Sequence, residues 1–295
     1  MTAAVISAPQ SAKLVERPLP EPEDGEVLVR VEGCGVCSSS LPTWEGRPWF
    51  DYPLEPGAPG HEGWGVEVES GRRVALFSEH AFAEHEAVPA DAVVPLPAGL
   101  DGEPFPGEAL GCALNVFARS GVREGQTVGV VGAGFLGLLL VQLAVGAGAR
   151  TIAFARRESI RELAEAFGAQ VGADPEEESC DVVIEAAGAQ ETLDLAVRLC
   201  RTRGRLVVAG YHQDGRRSVD MQLWNWRGLD VVNAHERAQD RYVEGIRAAV
   251  DAVVSGRLDP RPLYTHVFPL ERIADAFEAA RTRPEGFVKA LVVVG

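Results

Sequence analysis

Four side chains suited to a borderline-soft divalent metal lie in three separated segments of this sequence: Cys37, the neighbours His61 and Glu62, and Cys112. Two thiolates, one imidazole and a carboxylate or water fit a tetrahedral zinc with an exchangeable fourth position. Singly they carry little weight, because a lone cysteine is more often an interior residue than a ligand. Cys34 and Cys37 also form a CxxC, which opens two other readings, a thiol redox pair or a small zinc knuckle. No second CxxC completes a knuckle, and no thioredoxin-like pattern surrounds the pair.

A second constellation points to a dinucleotide. In Thr127-Val-Gly-Val-Val-Gly-Ala-Gly-Phe-Leu-Gly137, Gly132, Gly134 and Gly137 stand at GxGxxG spacing, after an apolar strand and at the start of an apolar helix opened by Phe135 and Leu136. The first glycine serves the tight turn, the second the approach of a pyrophosphate, and the third close helix–strand packing. The helix N-terminus adds oriented N–H groups and positive dipole. NAD-binding versions carry an acid at the end of the second strand, but here Ala155 stands there, followed by Arg156 and Arg157. Without a carboxylate to repel it, a 2′-phosphate can be gripped by guanidinium, so NADP(H) is expected over NAD(H).

The elements that must position these groups fall into two styles. The first hundred residues read as β-rich, with short apolar runs such as Glu26–Val31, Gly65–Val68, Arg73–Phe77 and Val93–Leu96 between Gly and Pro clusters. From Glu108 helix-like and strand-like segments alternate: Glu108–Ser120 helix, Thr127–Val131 strand, Leu136–Gly146 helix, Thr151–Ala155 strand, Arg157–Phe167 helix, Val182–Ala186 strand, Gln190–Cys200 helix, Arg205–Gly210 strand. That alternation implies a doubly wound parallel sheet. Beyond Leu229–Asn233 come helices Arg241–Ser255 and Leu270–Arg281 and a last strand, Lys289–Val294.

Composition excludes several classes. The formal charge of −15 over 295 residues disfavours nucleic acid or an anionic membrane as partner. The longest apolar stretch, Phe135 to Ala149, is too short to span a bilayer, and Met1–Gln10 shows no secretory signal. Five cysteines without a disulfide framework point to a cytoplasmic protein.

The order Cys37, His61–Glu62, Cys112, then Gly132-x-Gly-x-x-Gly137 resembles the zinc-dependent alcohol and polyol dehydrogenases of the medium-chain dehydrogenase/reductase family. Phe82–Ala90 resembles the family's "FAEY…VPA" strand, and Asp181–Gly188 and Gly204–Gly210 its later nucleotide-binding strands. Ser255–Pro260, Thr265–Leu270, Ala276-Phe277 and Lys289 resemble its C-terminal return. The resemblance implies an α/β protein: a GroES-like β-barrel catalytic domain over 1–113 and 237–295, a Rossmann domain over 114–236, and an active site in their cleft. It further implies Cys37, His61 and Cys112 as zinc ligands, Glu62 as a nearby or exchangeable carboxylate, Ala187 against the cofactor, and a homodimer or homotetramer.

Three departures bear on that reading. The stretch between Glu62 and Cys112 is short and free of cysteine, so the family's structural-zinc lobe is absent and one zinc per chain is expected. Ser39 keeps the hydroxyl position after the first ligand, whereas Ser40 stands where Asp is common. Pro42 stands where some members have a relay histidine, so a proton passed outward by Ser39 is expected to leave by cofactor hydroxyls or water. The expected reaction is hydride transfer between NADP(H) and an alcohol, aldehyde or ketone. The rivals are a zinc-free quinone or enoyl reductase and a non-catalytic NADP-binding sensor. Trp44, Trp49 and Phe50 offer an aromatic pocket wall or plain packing, Trp224 and Trp226 read as packing, and His80, His85, His212, His235 and His266 lack partner spacing.

Overall fold

The computed structural model describes residues 1–172 and 176–295. It divides into two compact units, the first Met1–Gly111, Ala238–Val254 and Pro260–Gly295, the second Cys112–Arg237 and Ser255–Asp259.

The chain opens with β1 (Thr2–Ala8), β2 (Ser11–Glu16), β3 (Glu26–Gly35), α1 (Leu41–Glu45), β4 (Gly63–Glu67), β5 (Arg73–Leu76), β6 (His85–Pro89), β7 (Val93–Pro95) and α2 (Gly107–Ser120). The second unit continues with β8 (Thr127–Val131), α3 (Phe135–Gly146), β9 (Arg150–Phe154), α4 (Glu158–Ala166), β10 (Gln170–Val171) and β11 (Cys180–Glu185). It closes with α5 (Gln190–Leu199), β12 (Cys200–Val208), α6 (Met221–Arg227) and β13 (Asp230–Asn233). Then α7 (Gln239–Val254), β14 (Tyr264–Pro269), α8 (Ile273–Thr282) and β15 (Lys289–Val293) return to the first unit.

In the first unit seven strands form a mixed sheet in the order β14-β15-β3-β4-β5-β7, with β6 also on β3. Strand β3 is long enough to serve two partners along one edge, β6 against Glu26–Arg30 and β15 against Gly33–Gly35. Its alternation buries Val29 and Val31 and exposes Arg30, the period of a strand with one face on a core. Helices α1 and α8 close that core through Trp44, which stacks on Phe277 at 5.2 Å, while Phe82 meets the same ring edge-on at 5.7 Å. An aromatic wall of Trp44, Trp49 and Phe50 is therefore not formed. Trp44 is 2 % exposed inside the core, whereas Trp49 is 57 % exposed.

The second unit is a parallel six-stranded sheet, β10-β9-β8-β11-β12-β13. That order, reversing direction between β8 and β11, is the doubly wound dinucleotide arrangement with its switch point at those two strands. Helix α3 is apolar all round and buries Leu138–Val141, as a helix inside an α/β layer must. Helix α6 carries no apolar period in the sequence; Asp220 caps it by accepting from the Leu223 N–H. The expectation that Trp226 packs fails, since this α6 side chain is 87 % exposed. Strand β13 forms one edge of the sheet. Among the described residues no helix is long and apolar enough to cross a membrane.

The glycine turn is sterically committed. Gly132 has φ +93°, and a Cβ there would lie 2.6 Å from the Ala187 Cβ and 2.9 Å from its backbone nitrogen. A Cβ at Gly137 would sit 2.2 Å from the Gly132 carbonyl oxygen. At Gly134, which N-caps α3, a Cβ would meet nothing within 4 Å, and no side chain caps the helix. Open space beside bare N–H groups at a helix N-terminus is the kind of place that receives an anion. Gly132→Ala is expected to cost about 1–3 kcal/mol through strain and overpacking and to abolish dinucleotide binding, as urea denaturation and a nucleotide titration would read.

Candidate functional site

Strand register gathers the metal-type donors of the first unit. Cys37 follows the end of β3 and His61–Glu62 precede β4, and the antiparallel pairing Cys34↔Gly63 brings those two ends together. Strand β15 runs antiparallel to β3 on its other side with Leu291 opposite Gly35, so Lys289 at its start reaches the same end. One donor atom each from Cys37, His61 and Glu62 all lie within 4.8 Å of one another. Ser39 joins them, its Oγ donating to Cys37 Sγ at 3.1 Å and standing 3.5 Å from His61 Nε2.

Cys112, the remaining expected ligand, lies on α2 and is the first residue of the second unit. The part of α2 belonging to the first unit brings one more carboxylate near enough to feel the charge of this group, though not into the cluster of three donors. Half-buried Glu108 senses the charges of His61, Glu62 and Lys289; burial, reinforced by Glu62 and opposed by His61, pushes its carboxyl up to about 7. Sequence reasoning missed it, although it precedes Cys112 by four residues, the spacing that puts two side chains on one helix face.

The electrostatics of this group call for a cation. Burial works against a charged His61, but the hydrogen bond and charge of Cys37, with Glu108 and Glu62, outweigh it and move the imidazole up to about 10. A metal ion would answer the same negative field with more charge than a proton. Glu62 is fully buried; Lys289 Nζ donates to its Oε1 at 2.7 Å and sits 2.5 Å from Oε2. Both carboxylate oxygens thus face the ammonium, although only Oε1 receives an aligned hydrogen bond. Burial opposes the Lys289 charge, and attraction from Glu62 and Cys37 more than restores it, so the ammonium is held above its usual range. Lys289→Met would strand the Glu62 carboxylate in the interior, and we expect a loss of about 3–5 kcal/mol in urea unfolding of the metal-free protein.

Burial and the charge of Glu62 push the Cys34 thiol well above its ordinary range. A protonated interior thiol is neither nucleophile nor ligand, which removes the redox reading of the CxxC. Behind the site, the segment before His61 is braced by the turn that links β5 to β6. The Ala81 N–H donates to the Gly60 carbonyl at 2.9 Å. Buried Glu86 holds that turn by accepting from Ser78 Oγ at 2.8 Å and the His80 N–H at 3.2 Å.

In the second unit, pairing of Val131 with Phe154 sets the residues after β9 beside the glycine turn, and the Gly132 N–H donates to the Phe154 carbonyl at 3.0 Å. Exposed Arg156 and half-buried Arg157, the N-cap of α4, follow directly. Ala187 abuts Gly132 from the loop after β11.

A doubly wound nucleotide unit together with a thiolate, imidazole and carboxylate centre is an oxidoreductase architecture. A family model for the alcohol dehydrogenase GroES-like domain matches residues 23–79, one for zinc-binding dehydrogenases matches residues 136–252, and the two cover more than half of the chain. The chain belongs to the zinc-binding alcohol and polyol dehydrogenase family of medium-chain oxidoreductases. The sorbitol dehydrogenase of Gallus gallus is 26 % identical, with 96 % of this chain and 94 % of that protein covered. An L-threonine 3-dehydrogenase of Bacillus velezensis is also 26 % identical, with 92 % of each covered. A solved structure assigned as a zinc-binding dehydrogenase of Sinorhizobium meliloti 1021, bound to NADP, is 27 % identical at a TM-score of 0.85, covering 99 % of this chain and 98 % of that one.

Proposed function

We propose that this protein is a zinc-dependent dehydrogenase that transfers a hydride between NADP(H) and an alcohol or carbonyl substrate. The convergence of Cys37, His61 and Glu62 beside the Ser39 hydroxyl carries the reading. When bound, zinc would supply Lewis acidity at the substrate oxygen and the nicotinamide would supply or accept the hydride. Cys37 and His61 would hold the ion, with Glu62 as the exchangeable carboxylate and Cys112 as the further thiolate. Glu108 is the rival for that last place, favoured by its interaction with His61. Ser39 Oγ carries the substrate proton outward. The turn Gly132–Gly137 and the first turn of α3, from Phe135 and Leu136, hold the pyrophosphate, with Ala187 as a wall. Arg156 and Arg157 take the 2′-phosphate, and they are the argument for NADP(H), since an NADH-bound Escherichia coli dehydrogenase is also similar, at 25 % identity.

Joining of β13 edges would give a homodimer, or two such pairs a homotetramer. The test is a panel of alcohols, aldehydes and ketones, led by sorbitol and L-threonine, with both cofactors, followed at the reduced-nicotinamide absorbance and paired with elemental analysis of protein purified without chelator. Turnover with bound zinc is expected. Turnover without metal would favour a zinc-free reductase, and cofactor binding without any turnover a sensor.

A further inference from the structure

Glu185 ends β11 level with Val131, the residue before the glycine turn, and is fully buried. A carboxylate at 0 % exposure in an apolar strand needs several donors, and it has them. Its Oε1 accepts from the Ala187 N–H, the Gly188 N–H and Thr192 Oγ1, each at 2.8 Å. The Gly188 and Gly210 backbones crowd the same carboxylate, for a Cβ at Gly210 would lie 2.3 Å from the Gly188 nitrogen and 2.6 Å from Glu185 Oε2.

Its other oxygen faces a histidine whose proton is located by its neighbours. His212 Nε2 is 3.0 Å from Glu185 Oε2, and Arg217 Nε donates to His212 Nδ1 at 2.9 Å. Guanidinium nitrogen only donates, so Nδ1 is an acceptor and the ring proton sits on Nε2, donating to the carboxylate. Arg217 Nη2 completes the circuit, donating to the Gly188 carbonyl at 2.9 Å and pairing with Asp214. Both side chains are shielded, His212 at 15 % and Arg217 at 16 % exposure. The loop after β12 is thereby tied to the loop after β11, whose Ala187 is the wall against which Gly132 turns.

We infer that His212 and Arg217 are positioning residues for the dinucleotide, acting through Glu185 to hold the Ala187–Gly188 backbone against the glycine turn. The inference rests on the proposed dinucleotide site, because the wall is useful only to a ligand seated there. It adds an Arg–His–Glu chain from outside the GxGxxG motif, and it explains why a charged residue closes the otherwise apolar strand Val182–Ile184.

The test is direct titration of the full-length protein with NADPH, read by nicotinamide fluorescence, for the wild type and three variants. His212→Ala breaks the chain and is expected to raise the NADPH Kd by about tenfold, the scale of one hydrogen bond to a charged group. Arg217→Ala is expected to do the same. His212→Gln can donate from its amide nitrogen to Glu185 and accept at its oxygen from Arg217, so it is expected to stay within about threefold of the wild type. Rescue by glutamine is the outcome that mere filling of space at 212 does not predict. Zinc content, read by elemental analysis, should be unchanged in all three and serves as the folding control. If His212→Ala fails to fold, the more peripheral Arg217→Ala still decides, with faster hydrogen exchange at the Gly188 amide as its second readout. Unaltered NADPH affinity in either alanine variant, or a glutamine variant as weak as alanine, overturns the inference. A wild type that binds neither NADPH nor NADH overturns the dinucleotide reading itself, and this inference falls with it.

Discussion

His61→Ala is expected to lower bound zinc from about one equivalent per chain to near zero and to cut kcat/KM by at least about 10³-fold, since it removes a ligand and with it the Lewis acid. The geometry argues for so large an effect. Among the described residues His61 is one of three His, Cys or carboxylate donors within 4.8 Å of one another, and its Nε2 is the atom near Ser39 Oγ. Losing it removes the only imidazole of the proposed ligand set and leaves no more than Cys37, the Glu62 carboxylate and the one further ligand, without the nitrogen donor such a site uses. Cobalt substitution gives a readout independent of turnover, because thiolate-to-cobalt absorption from Cys37 should vanish with the metal. The same spectra settle the remaining ligand. If Cys112 ligates, Cys112→Ala loses metal and the thiolate band with it, and Glu108→Gln does not. If Glu108 ligates, the pattern reverses. A His61→Ala protein with full zinc and full activity would refute the centre.

Replacing Arg156 and Arg157 together by alanine is expected to weaken NADPH by about 100-fold while leaving NADH within about threefold. Each guanidinium–phosphate contact is a charge-assisted bond, and hydrogen bonds to charged groups are worth about 1.5–3 kcal/mol. The register supports this reading. They follow β9 by two and three residues, where Phe154 already accepts the Gly132 N–H. No acid stands at the strand end, so nothing there selects the 2′-hydroxyl. Competition titrations with 2′-phospho-AMP and AMP give the same comparison without the nicotinamide. Equal losses for both nucleotides would remove the 2′-phosphate assignment.

The fold class was legible because its signals are local. Strand, glycine turn and helix at Thr127–Gly146 follow from an apolar run, three glycines and a second apolar run, each within a few residues. Helix α6 was illegible because what fixes it is the Asp220 cap and the strands it packs beside, not an apolar period. Cys37, His61 and Glu62 stood out by type, but nothing in the sequence tells that the register of β3, β4 and β15 would set Lys289 against Glu62. Glu108 was hidden in a first helical turn, where an acid usually serves only the helix dipole. His212 was passed over because its partners, Glu185 and Arg217, come from a neighbouring strand and from its own loop. The aromatic triplet misled because size alone does not separate a pocket wall from a core: Trp44 went to one side of that divide and Trp49 to the other.

The Lys289–Glu62 pair spans 227 residues, so the charge compensation at the centre forms only once strand β15 has docked on β3. Without that strand, Cys37, His61 and Glu62 would carry an uncompensated carboxylate among them, a more anionic group that favours hard divalent ions by charge alone. By cancelling one carboxylate the ammonium leaves a less anionic nest, in which sulfur and nitrogen preference would count for more than raw charge for any ion the proposed centre takes.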